Sequence, residues 1–471
     1  MSRAIFLLLL SFCSLQLVAQ SIRYEKVPMT SRASRNADNK VYEDELKPVT
    51  TLAEAGILDP YKLYNVDAFV NDAISQGAFP GCRVLAAKDG KVFYDKSFGY
   101  LASDLKVPVT SATVYDLASV TKVVSTTLAV MRLYEQGRLN LNSKLGEYLP
   151  ITYNTDKATI VIRDLLLHQA GLKAWIPFYK AFYDSSGHPS SVIFHAARDT
   201  FYNQEVARDI WMRRDYRDTI WKTIIASPLE NKGRMVYSDL DYYFLAAVVE
   251  KITGKTIDRY VAEQFYTPMG LKSIGYNPLQ YLPKERIAAT ENDLTFRGQL
   301  LQGYVHDPGA ALFGGVAGHA GVFATAQDVA ALFQMLLWGG HYRGVSYFKK
   351  ETIDYFIAYN ATISRRGLGF DKPASDELDG GPAGNRCSGY SFGHQGFTGT
   401  CVWADPANGV VFVFLSNRVN PSAENNLINK LSVRTIVQDR LYDALGIPAD
   451  HGRPEVRNMQ LKLGKYKTAA N

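Results

Sequence analysis

Strand-type patterning lies at the two ends of this chain and helical periodicity fills the long stretch between, an order that few architectures can satisfy. Near the start, Leu63, Val66, Val70, Ala73 and Ile74 recur at helical spacing behind Asp59-Pro60, which offers an N-cap and a first-turn proline, and the pattern stops at Gly77. Two apolar runs follow, Cys82 to Ala87 and Val92 to Phe98, joined through Lys88-Asp89-Gly90-Lys91. Asp-Gly between such runs predicts a hairpin. Helical periodicity then runs from Val120 through Val123, Val124, Leu128 and Met131 to Gly137. It recurs around Ile162 to Leu167, Tyr242 to Ile252 and Val329 to Leu337, the last behind a capping-box-like segment from Thr325 to Asp328. Strand signals return only at Phe392 to Gly396, Thr400 to Ala404 and Val410 to Leu415, before a final helix expected from about Ala423 to Leu445. The order predicts an α/β fold, with an antiparallel sheet from both chain ends, flanked by the terminal helices and faced by an inserted, mainly helical subdomain. A catalytic cleft would then lie between sheet and subdomain.

At 471 residues, 47% hydrophobic and 21% charged, the chain can bury a sizeable core and has neither a disordered nor a fibrous composition. Its net charge of +6 is dispersed through mixed runs such as Arg213-Arg214-Asp215-Tyr216-Arg217-Asp218, which read as a salt-bridged surface and not as a nucleic-acid groove. Arg3, the apolar stretch from Ala4 to Leu10 and its extension to Val18 before Ala19 read as a secretory signal peptide over 1–19. Uncleaved anchoring is the alternative, and membrane attachment is expected only in that case. An extended lead-in over 20–55, one large domain over 56–450 and a tail over 451–471 complete the division. A periplasmic or secreted location is expected. Cys82, Cys387 and Cys401 would remain after cleavage; they allow at most one disulfide and are read as packing residues. With no H-E-x-x-H, no paired Cys-x-x-Cys and no G-x-S-x-G, neither a metal, a cofactor nor an α/β-hydrolase elbow is expected.

Ser-x-x-Lys occurs three times, at Ser103, Ser119 and Ser346. Only Ser119-Val120-Thr121-Lys122 opens a long helical pattern. There positions i and i+3 share a face, so the lysine can reach the serine oxygen and take its proton if held neutral. Two further motifs lie downstream, Tyr237-Ser238-Asp239 and His394-Gln395-Gly396.

The order and spacing of these motifs resemble the serine β-lactamase superfamily of class C β-lactamases, penicillin-binding proteins and esterases. So do the flanks Tyr115-Asp116-Leu117-Ala118, Ile162 through His168, Phe397-Thr398-Gly399-Thr400 and Ser416-Asn417-Arg418. Two stretches, Tyr237 to Leu271 and Val305-His306-Asp307 through His319-Ala320-Gly321, narrow the likeness to periplasmic penicillin-binding proteins of the D-alanyl-D-alanine carboxypeptidase type. The resemblance spans about residues 55 to 445 and implies a β-lactamase/transpeptidase-like fold with covalent acyl-enzyme chemistry. It implies Ser119 as nucleophile, Lys122 as base, Tyr237 as general acid/base, and the backbone N–H groups of Ser119 and Phe397 as oxyanion hole. Asp239, His394 and Gly396 would contact substrate, Gly396 by letting it lie along the strand edge. Lys122 and Tyr237 both have ordinary pKa values of about 10, so at least one must be shifted, and the residues leave open which.

Two positions depart from the β-lactamase pattern. Asp239 stands where those enzymes have asparagine: its carboxylate would favour an ammonium at Lys122 and move the base role toward Tyr237, whereas a protonated Asp239 would imitate the amide. His394 stands where they have lysine, and as a largely neutral ring it would hold a substrate carboxylate less firmly. Arg418 and Arg386 are the candidate cations for that carboxylate. Trp175 to Trp221 matches the family least and reads as a helical, loop-rich wall that sets substrate choice, while His168 and His319 read as loop-orienting residues. The expected function is D-alanyl-D-alanine carboxypeptidase-like hydrolysis, with a small-molecule or peptide substrate such as peptidoglycan peptides and no nucleic acid partner. An esterase on small acyl esters is the alternative, and a catalytically silent muropeptide- or penicillin-binding protein is the alternative of another class.

Overall fold

Asp89 and Gly90 turn the chain with φ of 51° and 86°, the positive values a two-residue hairpin requires. They set Gly81–Lys88 antiparallel to Lys91–Gly99. The computed structural model describes residues 44–230, 233–374 and 381–449; the expected signal peptide, most of the lead-in and the tail lie outside them. Upstream of the hairpin, the Asp59 carboxylate accepts from the Tyr61 N–H at 3.0 Å and the first helix runs Tyr61–Ser75.

The hairpin joins a six-stranded sheet in the order Lys47–Pro48, Lys91–Gly99, Gly81–Lys88, Val410–Ser416, Cys401–Asp405, Phe392–Gln395. Every pairing is antiparallel except that of Lys47–Pro48, which runs parallel to Lys91–Gly99 and makes the sheet mixed. The pleat sorts side chains onto two faces. Cys82, Val84, Ala86, Val410, Phe412 and Phe414 pack with Leu63, Val66, Val437 and Leu441 of the first and last helices. Leu85, Ala87, Val411, Val413 and Leu415 pack with Val329, Leu332 and Phe333 of the helix Ala326–Leu337. Both faces are covered, which is why these strands read as unbroken apolar runs, and each fully buried Val, Leu or Phe contributes about 1.5–3 kcal/mol.

Two sequence expectations are corrected. The final helix is split into Leu427–Lys430 and Val433–Ala444, because Ser432 between them adopts φ of 50° and cannot continue a right-handed helix. The Trp175–Trp221 stretch is not only helix and loop: Phe194–His195, Ile210–Arg213 and Tyr202–Ala207 form a three-stranded antiparallel sheet there. Strands so short leave little period-2 signal. Cys82, Cys387 and Cys401 are fully buried. Among the described residues no helix is long and apolar enough to cross a membrane.

Candidate active site

Ser119 sits where the short strand Tyr115–Asp116 gives way to helix. The Leu117 N–H donates to the Val322 carbonyl of the adjoining strand at 2.9 Å. Ala118 then takes φ of 45°, a costly conformation for a residue with a Cβ, held by the Asp116 carboxylate accepting from its N–H at 2.8 Å. A 3₁₀ turn, Ala118–Val120, follows, then a wide π turn over Lys122–Thr126, and regular helix begins only at Thr127. Such widened turns recur at functional sites.

Lys122 and Ser119 meet across this turn. The ammonium donates to Ser119 Oγ at 2.9 Å, to Asp239 Oδ1 at 2.7 Å and to the His319 carbonyl at 3.2 Å, so its three protons match three acceptors. Its side chain is 0% exposed and that of Asp239 21%. Burial works to lower the lysine's pKa, but Asp239 and Tyr237 outweigh it and hold the ammonium beyond its ordinary range. The Tyr237 ring lies 4.9 Å from Lys122 Nζ. Burial pushes the phenol's pKa up; Lys122 and Ser119 oppose that rise without making well-formed hydrogen bonds to the hydroxyl.

His394 projects from the edge strand Phe392–Gln395. Its Nδ1 donates to the Gln395 carbonyl at 2.7 Å, while Nε2 is buried with no hydrogen-bond partner. Burial, with Arg366 and Lys122 adding repulsion, pushes its pKa down to about 3, so the ring is neutral at pH 7. Gly396 has a different reason to lack a Cβ from the one the sequence suggested. A Cβ there would stand 2.5 Å from the Leu117 carbonyl and overlap the Thr400 hydroxyl. The close approach is to the turn that carries Ser119. Thr400 Oγ1 donates to the Leu117 carbonyl at 2.9 Å and Thr398 Oγ1 to the Asp116 carbonyl at 2.7 Å, so the segment just after the third motif braces the corner before Ser119.

A cavity of about 950 Å³ is lined by Ser119, Tyr237, Asp239, His394, Gly396 and Phe397. Lys122 is buried behind the lining residues Ser119 and Asp239, to which it donates. Neither Ser103 nor Ser346 lines it. Of the two candidate cations, Arg418 reaches the cavity, its Nε donating to the Phe397 carbonyl at 2.6 Å and its guanidinium 4.3 Å from the Phe397 ring. Arg386 does not; it donates to the Ile447 carbonyl at 2.7 Å and pairs with Asp443 at 3.3 Å.

Sequence reasoning missed Arg365, Arg366 and Arg434 in the cavity lining. It also passed over Asp307 there, whose Oδ1 lies 2.7 Å from His319 Nε2. Asp307 and His319 lie in the stretch that carried the family likeness, yet they sit on loops where no period betrays a shared site. Ligating atoms of Asp239, Asp307 and His319 come within 4.8 Å of one another, the one grouping among the described residues able to hold a metal ion. The Lys122 ammonium already sits against its Asp239.

The mixed sheet with an inserted subdomain is the β-lactamase/transpeptidase fold. A penicillin-binding protein homologue from Caulobacter crescentus aligns with a TM-score of 0.58 at 21% identity, covering 82% of this chain and 98% of that one. A penicillin-binding protein homologue from Pyrococcus abyssi aligns at 0.58 and 18%, covering 84% and 80%. At those identities the likeness is one of fold. In sequence, the chain is 33% identical over 404 residues to an N-acetylmuramyl-L-alanine amidase of Bacillus subtilis (strain 168), covering 79% of this chain and 85% of that protein. It is 32% identical over 421 residues to an Escherichia coli (strain K12) protein named "Putative D-alanyl-D-alanine carboxypeptidase", covering 82% and 91%. Residues 66–434 match the β-lactamase family, and the chain belongs to that family.

Proposed function

We propose that the protein is a serine amide hydrolase working through an acyl-enzyme at Ser119 on alanyl peptides of the bacterial cell wall. The observation that carries this reading is Lys122 Nζ at 2.9 Å from Ser119 Oγ, under a cavity lined by Tyr237 and His394. In the resting site Lys122 is an ammonium and Tyr237 a neutral phenol, so neither is ready to accept the serine's proton. Asp239 supplies the missing acceptor. A substrate covering its exposed edge strips water from the ion pair, which disfavours separated charges and moves a proton across 2.7 Å from Lys122 to the carboxylate. Neutral Lys122 then takes the Ser119 proton as Oγ bonds the carbonyl carbon. The C=O π pair becomes an oxyanion held by the backbone N–H groups of Ser119 and Phe397. Collapse breaks the C–N bond as Lys122 passes the proton it took from Ser119 through Tyr237 to the leaving nitrogen; water then adds to the ester, giving a proton to Ser119 Oγ as the C–O bond breaks and the acyl group leaves as its carboxylic acid.

Support for an alanyl amide comes from two relatives whose names both describe cleavage next to alanine, one at an N-acetylmuramyl-L-alanine bond and one at a D-alanyl-D-alanine bond. Arg365, Arg366, Arg418 and Arg434 along the cavity suit the carboxylates such peptides carry. A periplasmic or secreted location follows from the same reading. The test is intact-protein mass spectrometry and product analysis with a muropeptide, a D-alanyl-D-alanine peptide and a fluorescent penicillin. The wild type is expected to gain an acyl adduct or release amine, and Ser119→Ala to do neither. Labelling that persists in Ser119→Ala overturns the assignment, and the released fragment identifies the bond.

A further inference from the structure

His168 holds both chain neighbours of Tyr237. Its carbonyl accepts from the Val236 N–H at 2.9 Å, its Nδ1 faces the Ser238 N–H at 3.2 Å, and its ring centroid lies 4.6 Å from that of Tyr237. To do this the residue adopts φ of 55°, a left-handed conformation that side chains other than Asn and Asp seldom visit. Behind the ring stands Asp241, with Oδ2 2.6 Å from Nδ1 and both side chains no more than 1% exposed.

One nitrogen therefore meets two polar neighbours, and their chemistry decides where the proton lies. The Ser238 N–H is a donor under all conditions, so Nδ1 must offer it a lone pair. An imidazolium, or a neutral ring protonated at Nδ1, would aim one N–H at another. With that single lone pair shared between the two neighbours and the ring proton on Nε2, which is buried without a hydrogen-bond partner, the 2.6 Å contact to Asp241 is a hydrogen bond only if the carboxyl carries the proton. Electrostatics agrees. Burial foremost, then Arg366, Lys122 and His394, lowers the His168 pKa well below its ordinary range. Burial likewise raises that of Asp241 well above its own, with Asp239 and Asp164 assisting and Lys122 and Arg366 opposing.

We propose that Asp241 and His168 form an uncharged dyad, proton on the carboxyl and lone pair on Nδ1, that positions Tyr237 against Ser119 and Lys122. The proposal rests on reading Tyr237 as a participant in acyl transfer. An ionised pair in this place would put a second cation behind Lys122 and bias the tyrosine toward its phenolate; the neutral pair fixes the ring without changing the charge it feels. Asparagine at 241 is a close replica of a protonated aspartic acid, since its amide N–H can donate to Nδ1 as the carboxyl O–H does.

Two measurements test this. Nitrogen-15 NMR of histidine-labelled protein, with His168 assigned from the His168→Gln spectrum, is expected to show a neutral ring protonated at Nε2 at pH 7. The second is the rate of Ser119 labelling by a fluorophosphonate probe, followed across pH. Asp241→Asn is expected to stay within about threefold of wild type with the same pH profile, while Asp241→Ala and His168→Ala fall about tenfold or more. Adding His168→Ala to Tyr237→Phe is expected to cost nothing further, as for residues acting through one another. A proton on Nδ1, or Asp241→Asn as slow as Asp241→Ala, overturns the dyad. A wild type that resists labelling overturns the reading of Ser119 instead, and the NMR result then decides the dyad alone.

Discussion

Lys122 and Asp239 form a 2.7 Å ion pair in which the lysine is wholly buried and the aspartate still touches the cavity. Anything that enters the cavity therefore changes the hydration of one partner and not the other. In the proposed mechanism that asymmetry is what prepares a neutral lysine.

Asp239→Asn removes the main influence that keeps Lys122 charged and leaves burial to pull its pKa down. In the proposed mechanism the wild type starts from the ammonium–carboxylate pair, with Asp239 as the proton's acceptor, whereas the variant must first lose the Lys122 proton to solvent, so the acid limb of kcat/KM is expected to move to higher pH by about one unit or more. A pH–rate profile of the variant against wild type checks it; a limb that stays put or moves down counts against Asp239 as acceptor of the lysine's proton.

Lys372 offers a separate test, of stability. It is 2% exposed, donates to the Tyr390 carbonyl at 2.9 Å and lies 4.8 Å from the Tyr359 ring. Burial pushes its pKa down to about 7, although Asp405, Cys387 and Asp371 pull the other way. In the unfolded chain the value returns to about 10.4. Between those limits the unfolded state binds the extra proton, so stability is expected to rise with pH from about 7 to about 10, by on the order of a few kcal/mol. Urea unfolding across that window should show the slope in wild type and a flattened one in Lys372→Met.

Gly396→Ala drives a methyl group against the Leu117 carbonyl. Overpacking of this kind costs about 1–3 kcal/mol. Because the displaced carbonyl belongs to the turn that carries Ser119, labelling of the serine is expected to fall further than the melting temperature implies. Calorimetry beside labelling kinetics separates the two effects; equal, small losses in both would return Gly396 to the substrate role suggested by its sequence.

How far the sequence could be read follows from what enforced each feature. The hairpin was legible because Asp89-Gly90 has almost no other use between two apolar runs, and the sheet because both its faces are buried. Ser119, Tyr237 and His394 were legible as motifs, and the cavity does gather them. The π turn was hidden: Val123 and Val124 keep an apolar stripe whether the turn is wide or regular. The break at Ser432 was hidden for a similar reason, since Leu427, Leu431 and Val437 carry the helical period straight across it. Asp307, His319, Arg365 and Arg366 arrive on loops, where contact is decided by tertiary packing alone. His168 was read as loop-orienting, and its bonds to Val236 and Ser238 give that role its object.

The strand Val410–Ser416 pairs with Gly81–Lys88, more than 300 residues earlier, from Val410 opposite Lys88 to Ser416 opposite Cys82. Such pairing is slow to find because so much chain must be closed into a loop first. Thr398 and Thr400, which brace the corner before Ser119, come from the same late segment. A ribosome that has delivered Ser119, Lys122 and Tyr237 has thus not yet delivered the strands that close their cavity. Until those strands emerge, the chain exposes an unpaired sheet edge where the finished protein has a centre, the kind of edge that invites pairing with another chain.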